Sequence, residues 1–91
     1  MTAFKAHDGS INNIKSSNKN LITASDDKTI KVWNFSQPIK MKIGNYSPDM
    51  VLKGHTLAVI AIQLISDHLI VSGGADLTLR LWDLKGIGVE I

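Results

Sequence analysis

The sequence predicts an all-β chain built from two copies of one antiparallel unit, and three observations carry that prediction. The first is an internal repeat, sought before any element is assigned because a missed repeat misassigns the whole fold. Leu21 to Asn34 and Ile70 to Asp83 align without a gap at a separation of 49 residues. Of the fourteen pairs, three are identical (Asp27/Asp76, Thr29/Thr78, Trp33/Trp82), eight are conservative, and three differ in chemistry (Ser25/Gly74, Asp26/Ala75, Lys28/Leu77). The second observation lies upstream: His7 and His55 are each followed at +4 and +7 by β-branched apolar residues, Ile11 and Ile14 in one copy, Val59 and Ile62 in the other. The third is texture. Short runs of Ile, Val, Leu and Thr are split by Asn, Asp, Ser and Gly at spacings too tight for helices.

Taken in order, strands are expected near 10–15, 21–25 and 29–34, then near 57–64, 69–74 and 77–83. Ser16 to Asn20 and Ser66-Asp67 supply the first turn of each copy, since Asn, Asp and Ser bond their own backbone and Asn and Asp tolerate positive φ. The copies differ by one residue in length there, which marks a turn. Gly73-Gly74 is read as permissive backbone at a tight strand connection. A further strand should precede each histidine, Thr2 to Lys5 and Met50 to Lys53, because Phe4-Lys5-Ala6-His7 corresponds to Leu52-Lys53-Gly54-His55. Ile39 to Ile43 alternates apolar with basic residues and reads as an inserted strand, whereas 86–91 is short for a full fourth strand. The repeats therefore divide as 1–48, with an inserted loop at 35–48, and 49–91.

Composition narrows the function classes. The chain has 91 residues, 44% hydrophobic and 20% charged, with no cysteine, which excludes a disulfide framework, a thiolate metal site and a cysteine nucleophile and fits an intracellular protein, cytoplasmic rather than nuclear. The net charge of +2 divides into +4 up to residue 48 and −2 beyond it, too mild for a dedicated polyanion binder. The longest apolar stretch, Leu57 to Ile65, is nine residues and contains Gln63, so it spans no bilayer and no membrane partner is expected.

Gly54-His55, Ser72-Gly73-Gly74-Ala75-Asp76 and Trp82-Asp83 resemble the WD40 repeat, and the first copy resembles it more loosely, with Ala6-His7 and Trp33-Asn34 in those places. The resemblance implies a partial β-propeller of about two four-stranded antiparallel blades. It also implies a buried hydrogen-bond network in each blade: His7, Thr23, Asp27 and Trp33 in one, His55, Ser72, Asp76 and Trp82 in the other. That chemistry is sound, because a buried indole N–H needs an acceptor, and an imidazole can link a hydroxyl to a carboxylate. Ser25 competes with Thr23 for the hydroxyl role, but its counterpart Gly74 has none. Hydroxyl, imidazole and carboxylate also make up a catalytic triad. Duplication together with a Trp that has no role in acyl transfer favours a scaffold, so no catalytic residue is assigned. His68 is expected in solvent, no pair of histidines has metal-ligand spacing, and no phosphate loop is present, so no metal or cofactor is expected.

In the family the turns after the second strand and the residues after each histidine line a rim where partner peptides dock. That places Asp8, Asp26, Lys28, Thr56 and Ala75 toward a partner. The expected function is a non-catalytic protein-interaction scaffold recruiting a partner or substrate protein, with an RNA-associated ribonucleoprotein scaffold as the alternative, although nucleic acid itself is not the expected partner. Two blades do not close a ring of the usual 4 to 8. Ile11, Ile14, Ile30, Val32, Val59, Ile62, Leu79 and Leu81 are too many to bury between one pair of blades. The expectation is a piece of a longer propeller; the alternatives are a ring of three or four copies, each lending Thr2 to Lys5 to its neighbour, and docking with the blades of another protein.

Overall fold

A computed structural model describes residues 3–17, 20–35, 46–85 and 89–90. It holds two antiparallel four-stranded sheets and, among the described residues, no helix. The first sheet runs in chain order through β1 (Ile11–Ser17), β2 (Asn20–Ser25), β3 (Thr29–Asn34) and β4 (Met50–Lys53). The second repeats it with β5 (Val59–Leu64), β6 (Leu69–Gly74), β7 (Leu79–Asp83) and β8 (Val89–Glu90). These are two blades of a partial propeller.

Each blade owes its shape to local chemistry at equivalent places. The first hairpin of each contains a bulge, between Ile11 and Asn13 and between Val59 and Ala61, which leaves Asn12 and Ile60 as the extra residues. A bulge sharpens the local twist of the strand. The second hairpin turns through Asp26 to Lys28 and through Ala75 to Leu77, with Lys28 at φ 78 and Leu77 at φ 69. The demand for left-handed backbone therefore falls on a lysine and a leucine, and the glycine pair answers a different need. A Cβ on Gly74 would lie 2.7 Å from His55 Nδ1 and 2.8 Å from Asp76 Oδ1, so Gly74 is there for space.

The strands differ from expectation mainly at their beginnings. β5 starts at Val59 because the Thr56 N–H is turned to the Asp76 carboxylate at 2.9 Å. β7 starts at Leu79 because Leu77 is left-handed and the Thr78 N–H is bound to Asp76 Oδ1. Ala3 to Lys5 forms no strand and joins neither sheet among the described residues, and Thr2 lies outside them. It runs instead across Trp33, with Phe4 edge-on to the indole at 5.3 Å and Tyr46 stacked on Phe4 at 4.5 Å. Residues 39–43 lie outside the described residues. The fourth place of the second sheet is taken by Val89–Glu90, paired only with Asp83 and Trp82.

The core lies between the sheets. Ile22, Ala24, Ile30, Val32 and Leu52 from the first meet Val59, Ile62, Ile70 and Trp82 from the second in one buried cluster, joined by Leu84 just past β7. Asn12 and Asn13 stitch the joint by donating to the Val59 and Ile62 carbonyls at 2.8 and 3.4 Å. Of the eight apolar residues expected to exceed one interface, Ile30, Val32, Val59 and Ile62 are buried, and Ile11, Ile14, Leu79 and Leu81 are exposed.

Candidate functional site

Two matching constellations hold the loops at one end of the blades. In the first, the Trp33 indole N–H donates to Thr23 Oγ1 at 3.1 Å, Thr23 Oγ1 lies 2.6 Å from His7 Nε2, and His7 Nδ1 lies 2.9 Å from Asp27 Oδ2. In the second, the Trp82 N–H donates to Ser72 Oγ at 2.8 Å, which lies 2.7 Å from His55 Nε2, and His55 Nδ1 lies 3.0 Å from Asp76 Oδ2. A carboxylate only accepts, so each imidazole carries a proton on Nδ1, and in the neutral ring Nε2 is then the acceptor for the hydroxyl proton. Every donor then runs one way, from hydroxyl to imidazole to carboxylate. Both hydroxyls and both histidine rings are buried.

The carboxylates also gather the rim. Asp27 accepts from the Thr29 hydroxyl at 2.6 Å and from the backbone N–H of Thr29 and of Asp8; Asp76 accepts from the Thr78 hydroxyl at 2.7 Å and from the backbone N–H of Thr78 and of Thr56. For Asp27, burial works to raise the pKa and is outweighed by the bonds from Thr29, His7 and the backbone, leaving the group well below the usual carboxylate range. Asp76 is held equally low, first by the Thr78 hydroxyl against the opposing effect of burial, with backbone and His55 bonds adding to it. Thr29 and Thr78 are functional members that sequence reasoning left out. Their signal was present, since they form one of the three identical pairs. Ser25 acts apart from the network, braced beneath the turn, where its buried Oγ accepts the Asp27 N–H at 3.0 Å.

All five rim residues, Asp8, Asp26, Lys28, Thr56 and Ala75, are exposed at this end. Asp8 is paired with Lys5 at 3.1 Å, and Asp26 accepts from the Asn12 amide at 2.8 Å. The counterparts of that last pair in the second blade are Ile60 and Ala75, so both positions are polar in the first blade and apolar in the second. Leu57, Ile60 and Leu77 join Ala75 as exposed apolar groups of the second blade, with Leu77 96% exposed. The rim thus changes character from charged to greasy across the joint. His68, expected in solvent, is half-exposed with Nδ1 3.4 Å from Asp83 Oδ1. Among the described residues no three histidine or acidic side chains form a metal-sized group, and no helix is long and apolar enough to cross a membrane.

Comparison with known proteins places this geometry among relatives. The family described as "WD domain, G-beta repeat" matches residues 1–34 and 46–83. The pre-mRNA-splicing factor PRP46 of Candida albicans is 38% identical over 88 residues, covering 92% of this chain and 21% of that protein. The ribosome biogenesis protein YTM1 of Eremothecium gossypii is 40% identical over 70 residues (77% and 14%), and the guanine nucleotide-binding protein subunit beta of Oryza sativa subsp. indica is 31% identical over 88 residues (93% and 22%). The chain spans only 14 to 22% of the length of these curated relatives, none of which bears the name of an enzyme. Among solved structures, the computationally designed Ika4 protein superposes with a TM-score of 0.77 at 27% identity, over 97% of this chain and 49% of that one.

Proposed function

Because the chain belongs to the WD40 family, we propose that it is a non-catalytic interaction module that holds a protein or peptide partner on its rim and so recruits that partner into an assembly. The observation that carries this reading is the contrast between the two copies. Their buried networks join the same four residue roles in the same order, whereas two of the three chemically unlike pairs, Asp26/Ala75 and Lys28/Leu77, are exposed turn residues above them. A rigid frame with freely varied loops is the usual architecture of a binding surface. The rim offered here is bipartite: Asp8, Asp26 and Lys28 on one blade, Thr56, Ala75 and Leu77 on the other. A partner segment with an apolar side chain at one end and polar groups at the other matches it. Further blades, from copies of this chain or from another protein, complete the propeller in this reading; the cysteine-free composition favours an intracellular setting, within which the cytoplasm is our proposal.

A second reading has its own support. Two of the relatives are named for pre-mRNA splicing and ribosome biogenesis, so a place in a ribonucleoprotein scaffold is the alternative. One experiment separates the two. Peptides selected from a displayed random library against the purified chain should bind it, and lose about tenfold in affinity when Leu77→Asp and Asp26→Lys are combined, with the thermal midpoint unchanged. No selected binder, together with a single-stranded RNA affinity that falls steeply with salt and ignores the rim changes, would overturn the peptide reading in favour of the ribonucleoprotein one.

A further inference from the structure

The two sheets meet through unlike faces, and the repeat identifies the counterpart of each face elsewhere on the molecule. At the joint, the first sheet contributes Ile22, Ala24, Ile30 and Val32, and the second contributes Val59, Ile62, Ile70 and Trp82. In the repeat alignment the first set corresponds to Val71, Gly73, Leu79 and Leu81, on the far face of the second sheet. The second set corresponds to Ile11, Ile14, Leu21 and Trp33, on the far face of the first. Seven of these eight are exposed or half-exposed, Leu79 at 81% and Ile14 at 56%, and Trp33 is the buried exception, in contact with Phe4. At opposite ends the molecule therefore carries the two halves of a contact that it already makes once, in its own core.

We propose that the occupant of both faces is a second copy of this chain, docked head to tail so that Val71, Leu79 and Leu81 of one copy pack on Ile11, Ile14 and Leu21 of the next. A different protein could match one face. The chain itself carries both halves on one body, in a geometry it has already realised, with conservative replacements at each position. The contact is heterologous, so it closes into a ring when the rotation permits, and blades numbering 4 to 8 correspond to about two to four copies. The proposal deepens the reading of the chain as a WD40 assembly module, and it stands whether or not the rim holds a peptide.

The same equivalence assigns a place to the N-terminal segment. Leu52 and Lys53 of β4 pair with Ile30 and Thr29 of β3; their counterparts are Phe4 and Lys5, and Leu79 and Thr78. β7 is paired with β8 only at Trp82 and Asp83, which leaves its Leu79 end open among the described residues. In the head-to-tail contact Phe4 of one copy lies opposite Leu79 of the other. The joint between copies is weaker than the one inside. Asn12 and Asn13 donate across the internal joint, and their counterparts Ile60 and Ala61 have no amide to offer.

With no cysteine in the chain, an introduced pair reports on this contact alone. Antiparallel partners sit with Cα atoms about 4.5 to 5.5 Å apart, within the roughly 4.4 to 6.8 Å that a disulfide spans. Phe4→Cys and Leu79→Cys chains, mixed and oxidised, should give the mixed disulfide dimer far above either like-with-like dimer. Light scattering on the unaltered chain should show a discrete species of about two to four copies, and Leu79→Asp should reduce it to a monomer with its circular dichroism retained. A monomer at every concentration overturns the proposal, as does an aggregate in which like and unlike disulfides form equally, or a monomer that assembles only with a different WD-repeat protein. The rim variant Leu77→Asp should leave the disulfide yield untouched, so failure of peptide docking and failure of self-assembly are read separately.

Discussion

At the scale of the residue, each blade is fastened by a hydroxyl that serves two partners at once. Ser72 accepts from Trp82 and reaches His55, and Thr23 does the same for Trp33 and His7. Ser72→Ala strands both partners in a buried place, at about 1 to 3 kcal/mol for each group left unpaired. The expected outcome is a large loss of urea midpoint, with Ser72→Thr largely restoring it, since the first blade carries threonine there. The carboxylates predict the acid behaviour. Their folded pKa values lie below the unfolded value of about 3.9, so their contribution is fully present above that pH and is lost as pH falls through the lower folded values. Urea midpoints measured downward from neutral pH should hold until about pH 4 and then decline, and Asp76→Asn should flatten that decline while lowering the plateau. The four members of each network were legible only through the resemblance to the WD40 repeat. Thr29 and Thr78 were visible as an identical pair, but a threonine in a strand reads first as strand propensity, and its role appears only once the turn folds it back over the aspartate.

At the scale of the element, the tight turn between the second and third strands of each blade separates two needs that sequence reasoning had merged. Positive φ is required at Lys28 and Leu77, and room for the histidine is required at Gly74. A non-glycine residue in the left-handed region carries a cost of about 1 to 2 kcal/mol, partly offset on substitution because glycine gains freedom when unfolded. Leu77→Gly should therefore raise the unfolding free energy by roughly 0.5 to 1 kcal/mol, whereas Gly74→Ala should lower it by pressing on His55. Both follow from one set of chemical denaturation curves. If the stabilised Leu77→Gly chain also loses selected rim peptides, the strain is explained as the cost of displaying an apolar anchor. Strand centres were legible from alternation and from the repeat. The beginnings of β5 and β7 were not: the first is set by a bond from Thr56 to Asp76, twenty residues on, and the second by an aspartate-to-threonine turn bond that a strand-like run of residues conceals.

At the scale of the whole molecule, position in the stack overrides sequence. Ile30 and Leu79 occupy the same site of the repeat, yet one is fully buried and the other largely in water. Ile30→Ala should cost about 2 to 5 kcal/mol, while Leu79→Ala should stay within about 0.5 kcal/mol in dilute monomer and instead dissolve any assembly of copies; thermal melts at low and high concentration distinguish the two. The sequence could announce that eight apolar residues were too many for one interface, but which of them stay exposed depended on the order in which the sheets stack. That order has one more effect. The sequence repeat and the sheet are out of step by a strand, because Met50–Lys53 precedes the second histidine yet completes the first sheet. A genetic event that copies one repeat therefore hands the new unit three strands of its own and one that is already promised to its predecessor, so such a chain lengthens by interlocking, like roof tiles laid with an overlap, and the unit that evolution can duplicate is never a unit that can fold by itself.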